Sequence, residues 1–579
     1  MAIENLITDH LDLWTAAVRP KSSVGRGSNS KLELTGIKKL RELILELAVR
    51  GKLTDQQVKT ESAADVINDA VAAKDILSNE MNVRTDKDAY SPVELLELPT
   101  NWTTVCIGQI AYVLGGKRIP KGHVLSDEKT KFVYLRVTDM KKQSIDDADL
   151  KYISEEVFRE ISKYTISKND IYVTIAGTIG AVGCVPEYLD GANLTENAAK
   201  LVFRCLSIDY LTLVLQSSFV QRQFAEAVNK MAQPKLSLAS IKHTTVIVPP
   251  IQEQHRIVAK VDELMAICDQ LEQQSEAQLA AHQTLVETLL ATLTDSCDAE
   301  ELAQNWARLS SHFDILFTTE ASIDALKQTI LQLAVMGKLV PQDPSDEPAS
   351  ALLERIAAKK AQLVKEKKIK KEKPLPAISE DEKPFELPQG WEWARLGNIG
   401  ICSTGKTPST GNSAFYDGEI PFIGPGQITP SGKLLAAEKY LSDVGLELSS
   451  EANAGDILMV CIGGSIGKAT ICDRQIGFNQ QINSIRPILC DSYFLLAAMT
   501  TKAFTNLLLE RATGSATPII NRSKWEEIPI PISPYQEQLR IISRVHELMT
   551  LCDQLKSRLQ TSLQTQLALA ESLVEGALA

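Results

Sequence analysis

Gln252-Glu253-Gln254-His255-Arg256-Ile257 returns 284 residues later as Gln536-Glu537-Gln538-Leu539-Arg540-Ile541. The match runs on through Leu264-Met265 and Cys268-Asp269-Gln270-Leu271, against Leu548-Met549 and Cys552-Asp553-Gln554-Leu555. A second block, Ile44-Leu45-Glu46-Leu47-Ala48-Val49-Arg50-Gly51-Lys52-Leu53, comes back as Ile330-Leu331-Gln332-Leu333-Ala334-Val335-Met336-Gly337-Lys338-Leu339. Leu98-Pro99-x-x-Trp102 likewise returns as Leu387-Pro388-x-x-Trp391. A repeated half implies two copies of one physical task.

The order of the blocks makes the repeat circular. Block 44–53 precedes a variable region and block 252–271; block 330–339 precedes a second variable region and block 536–555. The C-terminal block has no partner after it unless the N-terminal segment folds back, and the echo of His312-Phe313-Asp314-Ile315-Leu316 in His10-Leu11-Asp12-Leu13-Trp14 supports that closure. A pseudo-two-fold molecule whose termini meet is expected.

From Ile257 a ladder spaced by four and three residues runs through Val261, Leu264, Cys268, Leu271, Ser275, Gln278 and His282, and resumes at Leu285 and Leu289. Its second copy reads Ile541, Val545, Leu548, Cys552, Leu555, Leu559, Ser562, Gln566, Leu569 and Leu573. A heptad seam sustained this long, without Pro or an early Gly, predicts two long coiled-coil helices, each about 60 Å at 1.5 Å per residue. Without the repeat, the same stripe reads equally well as an ordinary bundle face. The 44–53 and 330–339 blocks read as shorter amphipathic helices ending at Gly51 and Gly337, which suit the left-handed C-cap conformation.

Residues 99–250 and 388–535 carry short β-type runs between Gly, Pro and Asn turns, such as 132–137, 170–175, 246–249 and 456–461. They predict mixed α/β domains. Each has a Gly-rich turn after a strand, Gly177-Thr178-Ile179-Gly180 and Gly464-Ser465-Ile466-Gly467, read as a tight turn or as an anion-binding nest of backbone N–H groups.

A net charge of −12 argues against a uniformly basic nucleic-acid coat. The charge is unevenly placed: 99–250 holds 18 Lys+Arg against 15 Asp+Glu, and 388–535 holds 11 against 13, so the acidity lies in arms and linkers. Residues 359–373 hold eight Lys before Pro374 and Pro376 and read as a solvated helix end and linker. An acidic start, no long uncharged apolar window and ten Cys with no C-x-x-C lead to the expectation of a reduced cytoplasmic protein without secretion signal, membrane span or zinc ribbon.

Gly400-Ile401-Cys402-Ser403-Thr404-Gly405-Lys406-Thr407 fits the phosphate-binding pattern G-x-x-x-x-G-K-[ST]. Such a loop must run into a helix, whereas Pro408, Ser409, Thr410, Gly411 and Asn412 follow, and the first copy has Arg118 where a hydroxyl is required. A basic residue in a Gly-rich loop at the same place in both domains suits DNA better than ATP. There is no H-E-x-x-H or G-x-S-x-G, and Val248-Pro249-Pro250-Ile251 lacks the polar and aromatic residues of an adenine-methyltransferase tetrapeptide. No active site is expected.

Taken together, these features resemble the specificity subunit of a type I restriction-modification enzyme, over essentially the whole chain. The resemblance rests on the circular repeat, the Gln-Glu-Gln helix starts, the Leu-Pro-x-x-Trp openings, and the loops Gly405-Lys406-Thr407-Pro408 and Gly464-Ser465-Ile466-Gly467; residues 47–53 are similar in particular to the type IB branch. The first domain departs from the second at Arg118 and Ala181. The resemblance implies an α+β architecture: two mixed α/β target-recognition domains separated by two long antiparallel coiled-coil arms. The expected division is 1–98, a helical segment completing the second arm plus linker; 99–250, the first recognition domain; 251–340, the central arm; 341–387, a Lys-rich helix and linker; 388–535, the second recognition domain; and 536–579, the C-terminal arm.

What the resemblance further implies is a non-catalytic subunit, acting in antiviral defence, whose two domains each read one half of an asymmetric double-stranded DNA site. The arms would set the gap and dock two modification (methyltransferase) subunits. S-adenosylmethionine, ATP and Mg would belong to these and to the restriction subunits, with no cofactor in this chain. Candidate DNA-binding residues are Lys117, Arg118, Lys121, Arg136, Lys141 and Lys142 in the first domain. In the second they are Lys406, Thr407, Ser409, Asn412, Gln427, Lys468 and Asn479. The alternatives are a coiled-coil scaffold whose two domains bind ligands unrelated to DNA, and an ATP-dependent enzyme using 400–407.

Overall fold

The computed structural model describes residues 3–20, 32–55, 62–81, 83, 88–93, 98–141, 143–229, 234–297, 299–514 and 517–578. The fold is α+β and falls into two compact units: the described residues up to 276 with 563–578, and 277–562.

Within the first unit, one antiparallel sheet orders its strands Val182–Cys184, Ile171–Thr174, Ala198–Val202, Tyr112–Gly115. A second sheet orders Lys151–Ile153, Phe132–Leu135, Ala192–Leu194, Thr165–Ile166, with one parallel pairing, Asn193 against Tyr134. The second unit repeats this strand for strand: Ala469–Ile471, Ile457–Val460, Ile482–Pro487, Gly400–Thr404, then Lys439–Leu441, Ile420–Ile423, Ile476–Phe478, Ser450–Ala452, with Phe422 parallel to Gly477. The central strands Ile171–Thr174 and Ile457–Val460 are buried at every position, so each is apolar on both faces rather than alternating. Each central pair is pinned at one end by a buried carboxylate, Lys200 Nζ to Asp170 at 3.2 Å and Arg486 Nη2 to Asp456 at 2.9 Å.

The strand that follows each Leu-Pro-x-x-Trp opening pairs with the strand that leads into each long helix, Thr103–Cys106 with Thr245–Val248 and Glu392–Arg395 with Pro529–Ile532. Pro529 and Pro531 donate no ladder bond and are tolerated because this ribbon has only two strands. The Gln-Glu-Gln motif then locks domain to helix. Gln254 Nε2 donates to Pro249 O and its Oε1 accepts from Ser207 N, both at 3.0 Å. Gln538 does the same with Ser533 O and Asp491 N, both at 2.9 Å. Ser207 and Asp491 are the N-caps of Ile208–Gln216 and Ser492–Met499, so one buried Gln ties the long helix to a domain helix.

The long helices are Ile251–Asp295 and Tyr535–Leu578. In the first unit Ile257, Val261, Leu264 and Cys268 are buried, as are Ile37, Leu40, Ile44 and Leu47 of helix Thr35–Val49. In the second, Val286, Leu290 and Leu293 share one core with Ile323, Leu326, Ile330 and Leu333 of helix Glu320–Val335 and with Ile541, Val545 and Cys552. Each fully buried Ile or Leu contributes roughly 1.5–3 kcal/mol, so these stripes outweigh flanking ion pairs worth about 0–1 kcal/mol each. Such pairs are Arg41 with Asp269 and Glu272, both at 2.7 Å, and their counterpart between Lys327 and Asp553.

Both short helices end as the glycines predict. Gly51 and Gly337 have φ of 68° and 69°, and Lys52 N to Leu47 O and Lys338 N to Leu333 O, both 2.9 Å, complete Schellman caps. The lysine after each glycine then caps a long helix: Lys52 Nζ donates to Leu578 O at 2.9 Å, and Lys338 Nζ to Thr294 O at 2.7 Å. Residues 294 and 578 are 284 apart, the offset of the repeat, so the N-terminal block meets the C-terminal helix as the internal block meets the central one. Lys39 adds an ion pair to Glu571 at 3.0 Å.

The predicted seam is corrected in its second half. Leu285 and Leu569 are 51% and 52% exposed, and the buried positions are Val286 and Leu290, and Leu567 and Ala570. A straight helix drifts about 20° per heptad from a 3.5-residue repeat, so over five heptads the stripe slips onto neighbouring positions. The Lys-rich stretch behaves as a helix end: Ala349–Lys365 stops at its last turn and Lys367, Lys368, Lys370, Lys371 and Lys373 are exposed. The linker after it is held by Arg395, which donates to Pro376 O at 3.0 Å and Ala377 O at 2.7 Å and pairs with Glu382.

Candidate nucleic-acid interface

The Gly-Lys loop of each domain leaves its strand and crosses the turn that follows a strand of the other sheet. In the first domain Gly116 N donates to Ala198 O at 3.0 Å and Lys117 N to Leu194 O at 2.9 Å; in the second Gly405 N donates to Ile482 O and Lys406 N to Phe478 O, both at 3.0 Å. A Cβ on Gly116 would sit 2.1 Å from Thr195 O, and one on Gly405 1.9 Å from Asn479 O. Glycine is required at both places because backbone packs on backbone, and this accounts for the Gly-Lys pattern without any phosphate. Strand Gly400–Thr404 runs into that loop and not into a helix.

Lys117 and Lys406, the residues after these glycines, are exposed. Lys117 Nζ stands 5.7 Å from the centroid of the Tyr164 ring. The next residue differs. Arg118 Nε donates to Glu196 Oε1 at 2.6 Å, with 76% of the Arg118 side chain exposed. In the second domain Thr407 Oγ1 donates to Gln480 Oε1. Glu196 and Gln480 are 284 residues apart, so a charged pair in one domain stands where a neutral pair stands in the other.

Tyr134 OH buttresses the first pair, donating to Lys117 O at 2.8 Å and approaching Glu196 Oε2 at 3.4 Å. Burial pushes the Tyr134 hydroxyl up to about 12, so it stays a donor. Burial also opposes the charge on Glu196, but hydrogen bonds from Arg118 and Thr195 prevail and hold its carboxyl below the ordinary value. The Glu196 hydrogen bond and charge in turn raise the Arg118 guanidinium. The pair is a fixed acceptor carrying an exposed, charged donor.

The remaining candidates lie as follows. Asn479 is on the turn that the Gly405 loop crosses, its Nδ2 donating to Gln481 Oε1 at 3.2 Å and its Oδ1 accepting from Gln481 N at 3.0 Å. Gln427 caps a short turn, its Oε1 accepting from Gly424 N at 3.0 Å and its Nε2 donating to Glu438 at 3.2 Å. Ser409 and Asn412 are exposed on the same loop as Lys406, with Asn412 Oδ1 accepting from Ala414 N at 3.2 Å. Lys468 follows Gly467 and is half-buried. Lys121 is exposed further along the first loop. Arg136 is engaged internally, by Asp139 at 2.6 Å and Asp149 at 3.2 Å, and Lys141 pairs with Asp146 at 2.9 Å. Lys142 lies outside the described residues. Thus Lys117 with Arg118, and Lys406, Thr407 and Asn479, come together, whereas Arg136 and Lys141 are tied to carboxylates of their own.

Sequence reasoning missed Glu196, Gln480 and Tyr134. Aligning Leu194-Thr195-Glu196-Asn197-Ala198 with Phe478-Asn479-Gln480-Gln481-Ile482 at the offset of the repeat would have singled out the first two. Among the described residues no group of three or more His, Cys, Asp or Glu is arranged to hold a metal ion, and no helix is long and apolar enough to cross a membrane.

One scaffold built twice, with a constant exposed lysine and a changed neighbour on the same loop, defines a protein with two domains of one kind. Residues 99–281 and 388–565 match the family described as the type I restriction modification DNA specificity domain. The chain is 39% identical to the type I restriction enzyme EcoEI specificity subunit of Escherichia coli, over 100% of both chains. It is 38% identical to the EcoAI specificity subunit of the same organism, again over 100% of both. A solved HsdS subunit from Thermoanaerobacter tengcongensis aligns with 84% of this chain and 98% of its own at 17% identity and a TM-score of 0.39. The chain belongs to the family of type I restriction-modification DNA specificity subunits.

Proposed function

We propose that this chain is the non-catalytic recognition subunit of a type I restriction-modification complex, and that each of its two domains reads one half of a bipartite, asymmetric double-stranded DNA site. The observation that carries this reading is the duplicated Gly-Lys loop, identical in backbone hydrogen bonding but different in the side chains at its lip. Constant lysines suit phosphates, which carry no sequence, and changed neighbours suit base edges, which do. A near-neutral domain with a few exposed cations is sufficient when two half-sites act together.

The long helices set the unspecified gap and dock two modification subunits; methylation and ATP-driven cleavage belong to partner subunits. Matched exposed apolar residues on both helices, Leu285 with Leu569 and Ile267 with Leu551, support docking at two equivalent places. Mapping methylated adenines across the genome of cells that express the whole system tests the reading. The expected result is one split site with two unlike halves and a fixed gap. A continuous site, or methylation without sequence preference, overturns it.

A further inference from the structure

The two lips differ in a way that matches the two kinds of base pair. In the major groove a G·C pair presents acceptors on guanine, O6 and N7, and a donor on cytosine, N4. An A·T pair presents an acceptor and a donor side by side on adenine, and an acceptor and a methyl group on thymine. Arg118 brings a fork of donors and Glu196 an acceptor. Gln480 brings a donor and an acceptor on one amide, and Thr407 a methyl group. Each pair of side chains is complementary to both edges of one base pair, and the two pairs occupy one place in the repeated fold.

Resting on the bipartite reading above, we propose that positions 118 with 196, and 407 with 480, each read a single base pair: G·C in the half-site held by the first domain and A·T in the half-site held by the second. The scaffold favours readout over a merely structural role. Arg118 is 76% exposed, too exposed for its ion pair to add much stability, and it is oriented by an acceptor that Tyr134 and Thr195 fix from behind. On binding, Arg118 turns its free guanidinium N–H groups to guanine while Glu196 keeps an oxygen for cytosine N4. Thr407 and Gln480 are both exposed and hold each other by one hydrogen bond, which leaves the Gln480 amide N–H groups and the second lone pair of its Oε1 for adenine, and the Thr407 methyl for thymine.

The test exchanges the lips in the full chain, assembled with its modification subunits in cells, as R118T/E196Q and as T407R/Q480E, with adenine methylation mapped genome-wide. Each exchange should alter one base pair in one half-site, from G·C to A·T for the first and from A·T to G·C for the second. Preference should shift roughly 5- to 150-fold, the range of one good base contact. The other half-site and the gap should be unchanged. Unchanged preference, a change spread over several positions, or loss of methylation by variants that still assemble overturns the inference. A second measurement needs no variant: the wild-type complex binds duplexes in which each specified guanine of the first half-site is replaced, one at a time, by an analogue lacking the N7 acceptor. One guanine should weaken binding, and no effect at any guanine overturns the proposal. Absence of any split site in the wild type would instead remove the bipartite reading itself.

Discussion

Gln254 and Gln538 make the same two hydrogen bonds, to a strand-end carbonyl and to the N-cap amide of a domain helix, with lengths that agree within 0.1 Å. The loop lips present a contrast, since an ion pair in one domain replaces a hydroxyl–amide pair in the other on an unchanged backbone. The junctions carry a geometric task, which must be performed alike in both halves; the lips carry a chemical one, which need not be. The two regions should therefore respond differently to mutation, the junctions through stability and the lips through preference.

The largest effect is expected at the junction glutamines. Q254L and Q538L each leave a half-buried N–H and a buried C=O unpaired, the buried carbonyl alone at about 1–3 kcal/mol. Hydrogen exchange should show amides 208–216 in the first variant and 492–499 in the second losing roughly 30-fold or more in protection, equally in the two. A loss confined to one of them would break the equivalence of the junctions.

The tryptophans of the domain openings should be unequal. Trp391 Nε1 donates to buried Glu537 at 3.0 Å, whereas Trp102 Nε1 has no partner among the described residues and Glu253 is taken up by Thr54 and Arg256. W391F should cost about 1–3 kcal/mol more than W102F, read from thermal unfolding at pH 7. Burial pushes the Glu537 carboxyl up, against the pull of hydrogen bonds from Trp391 and Gln342. A raised folded-state pKa means that the favourable contribution is present below the ordinary value of 4.5 and is lost as pH rises through the raised one. Trp391 favours the charged carboxylate, so the extra cost of W391F should shrink as pH falls through the raised folded-state value and Glu537 takes up its proton. A pH-independent difference would show that Trp391 acts by packing alone.

At the lips, K117A and K406A should weaken binding of the assembled complex to cognate and unrelated duplexes alike, by roughly 3- to 10-fold, and lower the salt slope by about 1 each. A changed base preference in either variant would move that lysine from phosphate contact to readout.

The contrast also explains what was legible in the sequence. The junction could be read because its residues recur in short runs: Gln-Glu-Gln, Leu-Pro-x-x-Trp, and Gly after an amphipathic stripe. Each run performs a local task, such as a cap, a strand start or a helix start. The lip could be read only in part. Lys117, Arg118, Lys406 and Thr407 stand out beside their glycines, but Glu196 and Gln480 reach them from more than seventy residues away, across a parallel strand pairing that spacing does not reveal. Arg136 stands out in the sequence by its charge, which the fold uses on Asp139 and Asp149.

The smallest effect on stability is expected at Leu285 and Leu569. An unbroken heptad seam would bury both, and a lysine there would place an unpaired charge in a core at a cost of several kcal/mol. The slip of the stripe onto Val286 and onto Leu567 with Ala570 leaves both leucines on the outer side of their helices. L285K and L569K should thus leave stability unchanged within about 0.5 kcal/mol, as surface substitutions do. Each should weaken association with the modification subunit, read by co-purification of the complex. Comparing each with V286K separates the two roles on adjacent residues: Val286 should lose the fold, and Leu285 only the partner. If L285K unfolds the second unit as V286K does, the helix keeps a strict 3.5-residue repeat and the docking role assigned to its outer leucines fails with it.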